Sequence, residues 1–284
     1  MNGQNRIRPI VRMEKYLRMR DYSSNTITAY KNQVTYFFTR TGLRPDEVRT
    51  EDITLYMEKV KEITGCSRAY LVQLVSALKC YYNHGFDRKV LNPAITVPLP
   101  KKERKYPDIL SKEEVRCIIN QGTLNLKHEF LLMMIYSSGL RVSEAVSLRL
   151  NDLDFDRHMI HIRNSKGKKD RYIMFSDACI KVFDKYKNRY YLENWLFPGA
   201  KEHSHLSIRT AQLVFETACH RINLSKNVSI HSLRHAFATH LLEDGVDLKY
   251  IQELLGHKNI KTTEIYTHVT QTSLRNIRSP IDRW

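Results

Sequence analysis

The sequence predicts a two-domain protein, mainly α-helical, with a small antiparallel β-sheet in the C-terminal domain. Three observations predict it. Apolar residues recur at helical spacing through most of the chain. One pair of short alternating runs, 159–163 and 172–175, reads as a hairpin. A proline-marked, basic stretch separates two segments that each carry enough apolar residues for a core. The chain has 284 residues, 42% of them hydrophobic, a length suited to roughly two domains.

The first domain is expected over residues 1–92. A helix covers Pro9 to Met19. Ser24 or Asn25 caps the next, which carries Ile27, Tyr30, Val34, Phe37 and Phe38 and is closed by Gly42 and Pro45. Glu51 to Ile63 forms a third. Ser67 caps a fourth, with Leu71, Leu74, Val75, Leu78 and Tyr82 as its apolar stripe. The aromatics are core packing. Lys31, Arg68 and Lys79 stand on outer faces, where they are solvated or meet phosphates.

Residues 93–107 read as a linker. They hold Pro93, Pro98, Pro100 and Pro107 and the basic run 101–105. Proline removes a backbone donor and disfavours helix in the residue before it.

The second domain, 108–284, opens on a capping box, Ser111-Lys112-Glu113-Glu114, ahead of Val115, Ile118 and Ile119. An apolar helix from Phe130 to Tyr136 breaks at Ser138-Gly139. Between the two strands lies a cationic hairpin tip, 164–170. From Leu206 onward the chain is mostly helical, with a C-terminal tail from about residue 272. In that tail Leu274, Ile277, Ile281 and Trp284 fall at helix-like spacing, interrupted by Pro280.

Lys plus Arg number 46 against 30 Asp plus Glu, a net charge of +16, which argues for a polyanionic partner. No apolar run approaches the roughly 18 residues of a membrane span, and the N-terminus lacks an apolar signal core. The five cysteines are Cys66, Cys80, Cys117, Cys179 and Cys219, with no CxxC pair. A reduced, cytoplasmic chain is expected.

Arg141, Lys166, His231, Arg234, His257 and Tyr266 together have the chemistry of one phosphoryl-transfer site. Phosphodiester transfer needs charge stabilisation on the non-bridging oxygens, a nucleophile and a proton donor for the leaving oxygen. Arginine bonds two phosphate oxygens with one planar fork. Arg141 follows a Gly-Leu break and can project from a fixed corner. His231 and Arg234, three apart on a helix, share a face, while Leu233, Phe237 and Leu241 anchor another. Lys166, at a glycine-bearing tip, can protonate a leaving alkoxide. The Tyr266 phenol, with an ordinary pKa of about 10, needs neighbouring cations or a base to attack at neutral pH. His231 and His235 are four apart, but Ser232 stands where an HExxH zinc motif has glutamate, so no metal is expected.

Taken together, these residues make the chain resemble the tyrosine recombinase (integrase) family, most closely its compact Xer-type members. The resemblance rests on Gly139-Leu140-Arg141-Val142-Ser143-Glu144, Lys166-Gly167 with Lys169-Asp170-Arg171 behind it, His231-Ser232-Leu233-Arg234-His235, Leu254-Leu255-Gly256-His257 and Tyr266. The intervals of 3, 23 and 9 residues between His231, Arg234, His257 and Tyr266 match those of the family. Tyr22-Ser23-Ser24-Asn25-Thr26 with Ala29-Tyr30 is similar to its core-binding domain. The resemblance spans nearly the whole chain.

The resemblance implies a helical, SAM-like core-binding domain and a catalytic domain closing as a clamp on double-stranded DNA, four protomers acting together. Tyr266 would form a 3′-phosphotyrosine and free a 5′-hydroxyl. Arg141 and Arg234 would clamp the phosphate, Lys166 protonate the leaving oxygen, His231 assist the tyrosine and His257 donate to the phosphate. Glu144 would support Arg141 from behind. Arg68, Lys168, Arg209 and Gln212 are candidate DNA contacts, the last two on a helix near the major groove. Neither ATP, metal nor other cofactor is implied. The tail would dock on a neighbouring protomer, although Ser279–Trp284 departs from the tails of the best-known Xer pair. A second recombinase or a regulatory protein is a possible partner. No arm-binding domain is expected ahead of the first helix. Three other readings fit parts of the set: a type IB topoisomerase, a DNA-binding protein whose site no longer reacts, and a metal-dependent nuclease, for which clustered carboxylates are missing.

Overall fold

In the computed structural model, residues 4–86, 92–94, 96–101, 108–163, 170–257 and 263 are described. The chain divides into two compact units, 1–104 and 105–284. Lys166, Lys168, Tyr266, residues 164–169 of the hairpin tip and the tail lie outside the described residues.

The first unit is helical: α1 (Gln4–Met19), α2 (Ser24–Thr41), α3 (Thr50–Thr64) and α4 (Arg68–Cys80). The cap of α2 is Ser23, one residue earlier than expected; its hydroxyl accepts from the Thr26 N–H. Gly42, at φ 72°, ends that helix in the left-handed conformation that glycine adopts without strain. Ser67 caps α4 as expected, and Leu71, Leu74, Val75, Leu78 and Tyr82 are buried. The core includes Phe37, packed edge-on against Phe38 and Tyr56. Beyond α4 the chain makes one π-helical turn, Tyr81–Gly85, and Gly85 lies against the Pro9 carbonyl, leaving no room for a Cβ.

The stretch expected to be a linker starts inside this unit. Ala94 and Val97 are buried in its core, Thr50 Oγ1 donates to the Pro93 carbonyl and Arg68 Nε to that of Pro100. Proline blocks helix and ladder hydrogen bonds, but it leaves a carbonyl that side chains can satisfy, so such a segment can still pack.

The second unit contains α5 (Lys112–Asn120), α6 (Leu126–Ser138), α7 (Val142–Val146), β1 (Leu153–Asp154), β2 (Met159–Ile162), β3 (Arg171–Met174), α8 (Asp177–Arg189), α9 (Ile208–Arg221), α10 (His231–Glu243) and α11 (Leu248–Leu255). The expected capping box opens α5, with Ser111 Oγ accepting from the Glu114 N–H and Glu114 Oε2 from the Ser111 N–H. The central helix, α6, buries Phe130, Leu131, Leu132, Met134 and Ile135 and packs against five other helices and β3. A helix apolar on nearly every side belongs inside a core.

The strands form an antiparallel sheet in the order β1-β2-β3, with Ile160 opposite Ile173. Ile160, Ile162 and Ile173 point into the core. Sequence reasoning left α8 unassigned, although Ser176 caps it and Cys179, Phe183 and Tyr186 form its buried stripe. Helix α10 lies between two apolar clusters. Leu233 and Ala236 join the main core, whereas Phe237 and Ala238 pack with Ile251 and Leu255 of α11. No described helix is long and apolar enough to cross a membrane.

Candidate active site

The site is built around a corner. Gly139 closes α6 at φ 60°, and a Cβ there would lie 2.5 Å from a ring carbon of Phe237, so only glycine fits. Leu140 then plugs the core, and Arg141 becomes the residue before the first turn of α7. Glu144, three positions on, reaches back: its Oε2 accepts from the Arg141 N–H at 2.9 Å and its Oε1 from Arg141 Nη1 at 2.8 Å. One carboxylate thus fixes both backbone and guanidinium of Arg141.

Two more arginines converge on Glu144. Arg171, the first residue of β3, makes a paired contact, Nη1 to Oε1 at 3.0 Å and Nη2 to Oε2 at 2.9 Å. Arg234 Nη1 lies 3.9 Å from Oε2. Burial opposes ionisation of Glu144, but the hydrogen bonds and charge of Arg171, and then of Arg141, outweigh it and hold the carboxyl at about 2. Three guanidiniums face one carboxylate, which leaves an excess of two positive charges.

Arg234 is buried, 4% exposed. Its Nη1 donates to the Gly139 carbonyl at 2.6 Å and its Nη2 to the Leu255 carbonyl at 2.5 Å. These carbonyls end α6 and α11, where helix dipoles favour a cation. Nη2 is also 3.2 Å from His257 Nε2. A guanidinium cannot accept, so His257 Nε2 must, and the ring proton resides on Nδ1, which donates to Thr263 Oγ1 at 2.9 Å. Both ring nitrogens are thus engaged, and the ring braces Arg234. Burial, then the charges of Arg234 and Arg141, push His257 down to about 4, so it is neutral at pH 7.

His231 begins α10 and is exposed as a residue. Protein packed around the imidazole, then Arg234 and Arg141, lower its pKa, which favours the neutral base. His235, one turn on, is lowered by burial, His231 and Arg234.

The structure therefore gathers Arg141, Glu144, Arg234 and His257 through direct contacts and puts His231 on the same helix as Arg234. A polar groove of about 660 Å3 begins at Arg141 and Glu144 and runs past Arg149, Asp152, Arg163 and Trp195. Arg209 and Gln212 stand apart on α9, Arg209 exposed and 3.5 Å from Glu216. Arg68 is in the other unit. Among the described residues no group of three His, Cys, Asp or Glu is placed to hold a metal ion.

Sequence reasoning gave no role to three contributors. Arg171 had a signal: it shares strand parity with buried Ile173, and a cation on the inward face of a strand demands a buried partner. Thr263, fully buried against His257, and Gln252, whose Nε2 donates to the His257 carbonyl, carry no such pattern.

Comparison with known proteins agrees along the chain. The model of the phage integrase family matches residues 108–273, and that of the phage integrase N-terminal SAM-like domain matches residues 10–91. A putative integrase/recombinase of Sinorhizobium fredii, y4qK, is 36% identical over 272 residues, 95% of this chain and 87% of the relative. Tyrosine recombinase XerA of Pyrococcus horikoshii is 36% identical over 267 residues, 92% of this chain and 88% of the relative. Among solved structures, the Tn1549 transposon integrase in complex with circular intermediate DNA shares the fold, with a TM-score of 0.74 at 23% identity, covering 94% of this chain and 97% of that one. The XerA recombinase crystal structure gives a TM-score of 0.53 at 26% identity, covering 95% and 99%. By sequence and by fold, the chain belongs to the phage integrase family, the tyrosine recombinases.

Proposed function

We propose that this recombinase cuts and rejoins double-stranded DNA at specific sites through a 3′-phosphotyrosine, with residues 108–284 as its catalytic domain and residues 1–92 as its core-binding domain. The observation that carries the reading is the cluster of Arg141 and Arg234 around Glu144, beside two histidines whose pKa values are lowered. That is a cationic site containing neutral bases, suited to a phosphodiester and a phenol.

Tyr266 Oη attacks the scissile phosphorus, and the bond to the 5′-oxygen breaks. Lys166 gives that oxygen a proton, and His231 takes the phenol proton. Arg141 and Arg234 hold the negative charge that builds on the non-bridging oxygens. One diester replaces another, so no ATP is consumed. The 5′-hydroxyl of a second duplex then attacks the phosphotyrosine and completes strand exchange. Four protomers assemble on two sites, with Arg68, Lys168, Arg209 and Gln212 on DNA, in the cytoplasm and at the nucleoid. A second recombinase or a regulatory protein can join this assembly.

The test is a two-site exchange assay on duplexes cloned from the DNA flanking the gene, with EDTA present and ATP absent. Recombinant product supports the proposal. Relaxation of any supercoiled plasmid without exchange points to a topoisomerase, and a requirement for divalent cations in cleavage overturns the mechanism.

A further inference from the structure

The three arginines around Glu144 are not equivalent. Arg141 stands at the groove and Arg234 under His257. Arg171 instead turns both terminal nitrogens onto Glu144 and donates its Nε to the Leu254 carbonyl at 3.1 Å. Its side chain also lies close against Gly256, where a Cβ would meet Nε at 3.1 Å and Cζ at 3.2 Å. One side chain therefore joins β3, the Glu144 turn of α7 and the corner that ends α11 directly before His257.

We propose that Arg171 is a positioning residue: its fork takes up the charge of Glu144 and pins the Leu254–Gly256 corner, so that Arg141 and Arg234 keep their positive charge for the scissile phosphate. The inference rests on the recombinase reading above. Without Arg171, the carboxylate faces Arg141 and Arg234 alone, and the excess at the site falls from two positive charges to one. In a poorly hydrated site such a change is weakly screened. The corner also loses its tie to β3, and with it the seat of His257 against Arg234. Lysine at this position keeps the charge but has no planar fork to span two oxygens and a carbonyl.

The test is single-turnover adduct formation on nicked duplexes whose scissile linkage is either a phosphodiester or an uncharged methylphosphonate. Wild type, Arg171→Gln and Arg171→Lys are compared on each linkage. Loss of the field slows Arg171→Gln by roughly 100-fold on the phosphodiester, the scale of one lost charge-stabilising contact. On the methylphosphonate, which builds up less anionic charge, the loss stays below about tenfold, and DNA affinity changes by less than about threefold on the same argument. Arg171→Lys recovers roughly tenfold of the loss on the phosphodiester, since it restores charge without the fork. Equal losses on both linkages in Arg171→Gln mean a merely structural role and overturn the inference, as does full activity in either variant. Where Arg171→Gln fails to fold, Arg171→Lys decides alone. Wild type forming no adduct on either linkage overturns the recombinase reading itself, and the inference falls with it.

Discussion

Glu144→Gln removes the charge on which three guanidiniums converge and keeps the shape of the side chain. The carboxyl drops from an ordinary 4.5 to about 2, which corresponds to roughly 3 kcal/mol of folding stability at neutral pH. Its folded pKa is depressed, so this stability is fully present above the unfolded value near 4.5 and is lost as pH falls through about 2. The substitution should therefore cost roughly 3 kcal/mol at pH 7, in line with leaving buried charge unpaired. The gap between the two proteins should close between pH 4.5 and pH 2. Urea unfolding followed by tryptophan fluorescence measures it in the right unit, because both tryptophans, Trp195 and Trp284, belong to the second. Comparison at each pH cancels most of the contribution of other titrating groups. A gap under about 1 kcal/mol at pH 7, or one that stays constant down to pH 3, would refute the hub that these distances describe.

Gly139→Ala should destabilise the second unit by roughly 2 kcal/mol or more, because it combines left-handed strain with overlap against Phe237; thermal or urea unfolding checks this. Thr263→Val removes the acceptor that fixes the His257 proton on Nδ1, and adduct formation should slow by about tenfold with little change in DNA affinity, measured on a nicked duplex. His257→Ala leaves Arg234 without its brace and should slow the same step by about 100-fold, a larger effect than Thr263→Val in parallel assays.

The fold was legible where a local rule acts alone. Ser67 and Ser111 are helix caps because a hydroxyl there meets an otherwise unpaired N–H, whatever the rest of the chain does. That Ile160, Ile162 and Ile173 face the core follows from alternation within each strand. The packing of Ala94 and Val97 was not legible, because it goes with contacts between residues 43 and 32 positions apart, Thr50 to Pro93 and Arg68 to Pro100. At the site, spacing marked Arg141, Arg234 and His257, since helical periodicity and a glycine corner leave few ways to turn them. It could not foresee that Arg234 is buried under two helix ends, because those carbonyls come from α6 and α11, which meet only in three dimensions. Thr263 was hidden for the same reason. Arg171 was visible in principle, as a cation on the apolar face of β3, but a partner had to be known to say why it was there.

The most direct test of the central claim is covalent trapping. Wild type and Tyr266→Phe are each mixed with nicked duplexes from the DNA flanking the gene, with EDTA and without ATP, and then denatured in SDS. Attack by Tyr266 gives a DNA-linked protein band for wild type and none for Tyr266→Phe, with DNA binding retained by both. A Tyr266→Phe protein that still forms the covalent band would contradict it.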